Sequence, residues 1–484
     1  MRTMGTASLA LLIACGGDAA DSKASPAADT DTDADLPTAD TDTDLPTADT
    51  APTADTADAS TGPSITGRCE LTKDNAQRAW CTLTVTPPQP VEVVFQASDG
   101  SGPQRVHRSD DALTDHRVGM YFLRPDTAYD VEARTLDGSA SIQGTLTTGR
   151  LRGDLAIDTA ITGTTTASYL GIQSPCFGAA AAILNPAGEV VWGHMFAAGG
   201  IEGVSFTEDQ TVLALVNAPD RVVEVDLMGN PVLTLALNSD YPHATHHDVF
   251  RRDGLTYVLY NSAFEGLQVD GFYVFDGPTL VATWWLPDHH TPEPGGRGGP
   301  FDFDYSHANA IWVDTNGEIY VSFRHLSGVL KVAGVNEPDF GQIRWAMSGD
   351  ATDAPLGNDF VMSAAVAASP DFLRQHNVHL TDDRQLAMFD NRIALGDSSR
   401  LLHWDLDETA MTAELAEAWV LPRHCDFQGG AWSTEAGNPV ATCALVGEAY
   451  EFTPGQADPV FTAKSTCDSA AFDNYIPRFV PLEW

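Results

Sequence analysis

A loose strand–turn–strand unit recurs six times between residues 184 and 461, and it restricts the fold of this 484-residue chain more than any other feature. Each copy is a strand ending in a turn with Gly or Asp, then a second apolar strand often closed by Trp or Leu. The copies run Leu184 to Trp192, Val225 to Leu233, Phe275 to Trp284, Lys331 to Trp345 (with a longer turn), Trp404 to Trp419 and Phe452 to Phe461. A strand pair cannot bury its apolar face alone, so such units must stack on one another. Six copies leave roughly 55 residues each, enough for four strands and their loops. Helical periodicity is nearly absent. The expected fold is all-β, a six-bladed β-propeller over residues 151–484, with seven blades left open by the uneven spacing.

Residues 65–150 alternate apolar and polar in short runs, such as Cys81 to Val85, Val91 to Phe95 and Tyr129 to Ala133, broken by Pro and by Asp-Gly or Ser-Gly pairs. That is the pattern of a small antiparallel β-sandwich. Leu123 to Tyr129, followed by Thr147 to Gly149, resembles the late strands of a fibronectin III/Ig-like domain. In such a domain Tyr129 would tie a loop with its hydroxyl. Nothing there carries catalytic chemistry, so a spacer or docking module is expected.

The first 15 residues combine Arg2, an apolar run too short to span a bilayer, and Leu12-Ile13-Ala14-Cys15. This reads as a signal peptide ending in a lipobox, with Cys15 retained and lipid-modified. Gly16 and Gly17 follow, without the Asp that holds lipoproteins at the inner membrane, so an outer-membrane anchor facing the periplasm or the cell surface is expected. Residues 16–64 are almost only Asp, Thr, Ala, Pro and Ser, with a unit beginning at Thr41 that nearly copies the stretch before it. One-signed charge and little to bury make this a disordered acidic tether.

The net charge of −41 argues against nucleic acid, which requires a basic footprint. An anionic ligand must then be captured by a few placed cations. Apart from Cys15, six cysteines remain: Cys69, Cys81, Cys176, Cys425, Cys443 and Cys467. In an exported chain disulfides are the default. Cys69 with Cys81, Cys425 with Cys443 and Cys176 with Cys467 are the natural pairs, though sequence does not fix the connectivity. No Cys-x-x-Cys spacing supports zinc.

Three stretches put polar residues where inner strands would face a central funnel. They are His243 to Phe250 (with His246, His247 and Asp248), Ser306 to Arg324 (with His307, Asn309 and Ser322), and Phe372 to Asn391 (with Gln375 and His376). His307 and Asn309 are two apart and are expected on one face. A strand-end histidine is more often structural than catalytic, and imidazole is also a common metal ligand. Against a metal, only Asp248 and Asp304 lie close in sequence, and Arg324 would repel a cation. No cofactor is expected.

Taken together, His246-His247-Asp248, His307-Ala-Asn309 with Ser322-Phe-Arg324-His325, Gln375-His376 with Phe389-Asp390-Asn391, and the closing Tyr475 to Pro481 resemble the bacterial arylsulfotransferase family in order and rough spacing. The resemblance implies transfer of a sulfuryl group from an aryl sulfate to a phenol without a nucleotide donor. It assigns His376 as the nucleophile and His247, His307 and Arg324 as further catalytic residues, with Asn309, His246 and Gln375 binding substrate; sequence does not settle which of His246 and His247 faces the funnel. His247 or His307 would move the proton. Phe301, Phe303 and Tyr305 are candidates for stacking on the aryl ring or for ordinary packing. The family's late Lys–Thr pair has only a weak counterpart in Lys464 to Thr466, and Gln428 and Asn438 carry no sharp signal. A non-catalytic binding propeller and an aryl sulfate hydrolase are the competing readings.

Overall fold

The computed structural model describes residues 62–484, apart from 175–178, 198–199, 218–219, 238–240, 242, 294–302, 351, 393–396 and 467–474. Cys15, most of the tether, Cys176, Cys467 and Phe301 lie outside the described residues. No described helix is long and apolar enough to cross a membrane.

The first sheet comprises Ser64–Leu71, Ala79–Ala97, Arg105–Met120, Ala128–Thr135 and Ser141–Thr147. It is a single sheet. The long second strand pairs with the first strand through Ala79 to Thr86, and with the fourth through Val91 to Ala97. Register shifts around Gln89, between Pro88 and Pro90, separate the two halves. Proline cannot donate to a ladder, so pairing breaks there and the sheet can turn on itself. Both halves share one core, including Leu83, Val85, Val93, Phe95, Val131 and Leu146. The Tyr129 hydroxyl accepts a hydrogen bond from Arg124 N at 2.7 Å, and Cys69 is bonded to Cys81 across the first strand pair.

Six further sheets follow among the described residues, here numbered I to VI. Their innermost strands are Phe479–Leu482, Ile201–Phe206, Ala244–Arg252, Ala308–Val313, His376–Leu380 and Gly430–Ser433. Sheets I to IV have four antiparallel strands; V and VI carry a fifth at the outer edge. All six sequence copies fall on the hairpin between the third and fourth strands of a sheet. That hairpin is the outer half of each unit, where large apolar residues such as Trp192, Trp345 and Trp404 are buried against a neighbour.

The sheets close a ring through bonds between the inner parts of neighbouring sheets, on or next to their first two strands. Ser205 Oγ donates to Val249 O, and Ile311 N to Asp248 Oδ2. Asn309 Nδ2 donates to Gln375 O, Ala431 N to Asn377 Oδ1, and Phe479 N to Thr442 Oγ1. Gln173 Nε2 completes the circuit on Ile201 O. Both ends of this region are stitched in. Phe479–Leu482 becomes the innermost strand of sheet I, and Asp158–Gly163 pairs outside Phe461–Thr466 in sheet VI.

The small first sheet docks on sheet I. Asn75 Nδ2 and Arg78 both donate to Gly193 O, and the Arg78 guanidinium lies 4.9 Å from the Trp192 ring centroid. Arg124 pairs with Glu189 at 2.9 Å. Glu189 lies in the turn between the third and fourth strands, which in an antiparallel meander is the end away from the start of the first strand. The residues described next occupy those starts, so the docked sheet sits away from them.

Candidate functional site

A small, partly open cavity is lined by Gln173, Glu202, His247, Asn309, His376, Asn377, Gln428, Gly429, Pro477 and Arg478. Every sheet of the ring contributes to this set, which places the cavity where the inner strands converge. The strand starts are not regular there. Register shifts interrupt the ladders at Ile201/Gly203, Thr245/Val249, Ala308/Ala310 and His376/His379. Glu202, His247, Asn309 and Asn377 are the residues displaced by these bulges. His247, His307, Arg374, Asn377 and Gln428 also have left-handed backbones, with φ from 51° to 60°. A bulge re-aims a side chain, and strain of this kind concentrates at functional sites.

His376 is buried and held at one edge. Asn391 Nδ2 donates to Cys425 O and Gln428 O, both at 2.8 Å, which leaves Asn391 Oδ1 facing His376 Nδ1 at 2.7 Å. Arg374 O is a second acceptor, 3.2 Å from the same nitrogen. Only the Nδ1–H tautomer satisfies both, so Nε2 keeps its lone pair. Burial, helped by the Arg324 guanidinium, pushes the His376 imidazolium down to about 3. The ring is neutral across the ordinary pH range. One of the two carbonyls that orient Asn391 is carried by Cys425, which is bonded to Cys443.

Arg324 is fixed from the side. Its Nη1 donates to His325 Nε2 at 2.7 Å, so His325 must donate from Nδ1 to Asp304 O at 2.9 Å. Burial drives His325 down to about 2. The Arg324 guanidinium also lies 5.5 Å from the half-exposed Phe427 ring. Arg374, a second guanidinium, is close enough to depress both His307 and His325. Arg478 pairs with Asp248 at 2.8 Å and reaches the cavity wall.

His307 meets Asp304 Oδ2 through Nδ1 at 2.5 Å, and its ring lies edge-on to His247 at 4.7 Å. Burial and then Arg324 hold His307 well below the usual histidine range. Asp304, His307 and His325 bring ligand atoms within 4.8 Å of one another. They do not suit a cation: His325 has both nitrogens engaged, one of them by a guanidinium, and Asp304 spends Oδ2 on His307. Burial raises Asp304 above the usual carboxylate range.

The regular two-residue alternation expected for His307 and Asn309 does not operate, because a left-handed residue and a bulge intervene. Asn309 lines the cavity and His307 stands behind His247. Two expected substrate ligands are displaced. Gln375 donates from Nε2 to Ser322 Oγ and Gly328 O and is completely buried, so it braces sheets IV and V instead of lining the cavity. His246 lies behind His247, with Nδ1 2.7 Å from His247 Nδ1 and Nε2 2.9 Å from Asp270 Oδ1. The second contact has ion-pair distance without the alignment of a good hydrogen bond. Tyr305 is buried with its hydroxyl on His290, so it packs; Phe303 is half exposed. Lys464 pairs with Glu448 on an outer strand, away from the cavity.

Sequence reasoning missed Glu202, Arg374, Asn391 as an orienting group, and Gln428. Glu202 accepts from Asn217 Nδ2 at 2.6 Å, and burial raises its carboxyl. Nothing in the sequence around Glu202 marks it; its position comes from a bulge.

No curated relative is detectable by sequence. Among solved structures, a protein of unknown function from Bacteroides caccae is 11% identical with a TM-score of 0.43, covering 66% of this chain and 100% of that one. A catalytically inactive virginiamycin B lyase from Staphylococcus aureus with quinupristin is 10% identical with a TM-score of 0.37, covering 63% and 89%. The C-terminal WD40 domain of Sif2 is 8% identical with a TM-score of 0.34, covering 71% and 90%. The arylsulfotransferase (ASST) family model matches residues 164–423, which run from the start of sheet I through sheet V and carry His247, His307, Arg324 and His376. That span is just over half of the chain, and the chain belongs to the arylsulfotransferase family.

Proposed function

We propose that this protein is an arylsulfotransferase that moves a sulfuryl group from a phenolic sulfate ester to a phenolic acceptor through a sulfohistidine at His376. Family membership implies a sulfotransferase acting on aryl sulfates. The observation that carries the mechanism is the orientation of His376. Its Nδ1–H is committed to Asn391 Oδ1, and its Nε2 lone pair is free beside guanidinium groups in the cavity.

In the first half-reaction His376 Nε2 attacks sulfur, the sulfur–oxygen bond to the aryl group breaks, and the phenolate leaves with a proton from a funnel histidine. In the second, the acceptor phenol loses its proton to that histidine, its oxygen bonds to sulfur, and the nitrogen–sulfur bond breaks to return the lone pair to His376 Nε2. Splitting the transfer in this way replaces one difficult step by two easier ones. By analogy with phosphoryl transfer, charge spreads over the peripheral oxygens of a loose transition state. Arg324, which depresses both His376 and His307, would stabilise it together with Arg374, and the neutral imidazoles around them would add polarity without competing charge.

The wider plan is proposed with it: a signal peptide and lipobox at 1–15, an acidic tether at 16–64, a fibronectin III-like β-sandwich at 65–150, and a six-bladed β-propeller at 151–484. Cys15 would anchor the chain to the outer membrane. The chromogenic test is para-nitrophenyl sulfate with and without added phenol. Release of nitrophenol that depends on the acceptor supports transfer. Acceptor-independent release makes the protein a hydrolase, and a folded protein inert on several donors makes it a binding module.

Asn391 supplies a finer test. Asn391→Ala lets the His376 ring turn and change tautomer, so kcat is expected to fall on the order of 100-fold with little change in KM. An unchanged kcat in steady-state assays would remove Asn391 from this role.

A further inference from the structure

We propose that Asp270, His246 and His247 form a proton relay, in which His246 stores the proton that His247 gives to the departing phenolate and recovers from the acceptor. The inference rests on the function proposed above. Consecutive residues of a strand normally point to opposite faces. Here the bulge at Thr245/Val249 and the left-handed backbone of His247 bring both rings together, Nδ1 to Nδ1 at 2.7 Å. Two imidazole nitrogens at that distance share a single proton, so the two tautomers are locked in step.

When His246 is an imidazolium, its Nδ1–H points at His247 Nδ1, and His247 carries its own proton on Nε2. When His246 is neutral with its proton on Nε2 toward Asp270, its Nδ1 accepts from His247, and His247 Nε2 is a lone pair. His247 lines the cavity together with His376; His246 does not. The outer ring therefore sets whether the inner one is an acid or a base.

The groups around each ring suit these parts. Burial opposes charge on His246, but Asp270 overbalances it, and Asp304 and Glu202 act in the same direction, so its imidazolium is favoured. Those carboxylates come from the third strand of sheet III, the loop before sheet IV and the inner strand of sheet II. Burial first, and then His307, His246, His376 and Arg324, keep His247 neutral, and its ring lies edge-on to His307. Asp270 is held by Ser306 Oγ and by Ala308 N at 2.8 Å, both on Oδ2, leaving Oδ1 for His246.

The step balances. His376 Nε2 forms the bond to sulfur and the aryl oxygen leaves. That oxygen takes the proton of His247 Nε2, His247 Nδ1 takes the proton of His246 Nδ1, and His246 ends neutral. The acceptor phenol reverses each transfer, so no proton is gained or lost over the cycle.

The test uses the full chain and two donors, para-nitrophenyl sulfate, whose phenol leaves readily without a proton, and phenyl sulfate, whose phenol does not. His246→Gln is expected to slow single-turnover release from phenyl sulfate on the order of 100-fold, and release from para-nitrophenyl sulfate by about threefold or less. With phenyl sulfate the wild-type rate should fall on the alkaline side, as His246 loses its proton; H246Q should lack that limb. Asp270→Asn should behave in the same sense. Equal losses on both donors, or no loss on either, overturn the relay, since a packing role is blind to the leaving group. If neither variant folds, the wild type decides: a shallow dependence of rate on phenol acidity supports proton delivery and a steep one overturns it. A wild type inert even on para-nitrophenyl sulfate contradicts the sulfotransferase reading itself, and the relay falls with it.

Discussion

His376→Ala is expected to lower phenol-dependent release from para-nitrophenyl sulfate by at least about 10³-fold, or about 4 kcal/mol of transition-state stabilisation, while the protein stays folded. The size of the effect follows from the role. Arginine and histidine donors can still bind the sulfuryl oxygens in the variant, but no atom is left at the position of Nε2 to form the covalent intermediate. The ring touches Asn391 and Arg374 O on one edge and the cavity on the other. Removing it therefore leaves the six sheets and their connecting bonds in place. Steady-state kinetics with a thermal melt separate lost chemistry from lost structure. A variant retaining more than a few per cent of the rate would exclude His376 as the nucleophile.

Arg324→Met is the second large effect, expected on the order of 10²- to 10³-fold in kcat. The guanidinium is held by His325 Nε2 and lies over Phe427. A guanidinium held in this way would need little reorganisation when charge develops on the sulfuryl oxygens. Arg324→Lys should recover little, because an ammonium cannot reproduce the planar fork. A loss confined to KM would make Arg324 a ground-state anchor. Removing Arg324 also relieves one source of depression on His376 and His307, after burial the larger one. Those imidazoles should titrate at higher pH in the variant, which NMR of the histidine ring nitrogens measures.

The repeat was legible because its signal is apolar burial. Large side chains such as Trp192, Phe275, Trp345 and Trp404 recur where the third and fourth strands of each sheet pack against the next. The innermost strands carry no such signature, since their starts serve the cavity and not a core. His376, His247 and Arg324 were found because three motifs occur in order, a one-dimensional property. The orienting layer was not found. Asn391 becomes the partner of His376 only through carbonyls 34 and 37 residues away, and Glu202 and Arg374 reach the site through a bulge and a left-handed turn. Bulges also defeated simple alternation. They moved His246 behind His247, and complete burial with a spent amide made Gln375 a brace.

The small first sheet shows a related limit. Alternation within its runs was plain, and the Tyr129 hydroxyl bond to Arg124 N is where a corner tyrosine would place it. The sharing of the second strand between both halves of the sheet depends on Pro87 to Pro90, whose effect on pairing a local pattern does not reveal.

The central claim is that His376 carries the sulfuryl group between donor and acceptor. The most direct measurement mixes the full chain with para-nitrophenyl sulfate in the absence of phenol, quenches in base, digests, and locates any added sulfuryl group by mass spectrometry. The account predicts one sulfuryl group on the peptide containing His376, formed with a burst of nitrophenol and discharged when phenol is added before the quench. Turnover with an unmodified His376 peptide, or a sulfuryl group on a different residue, would contradict it.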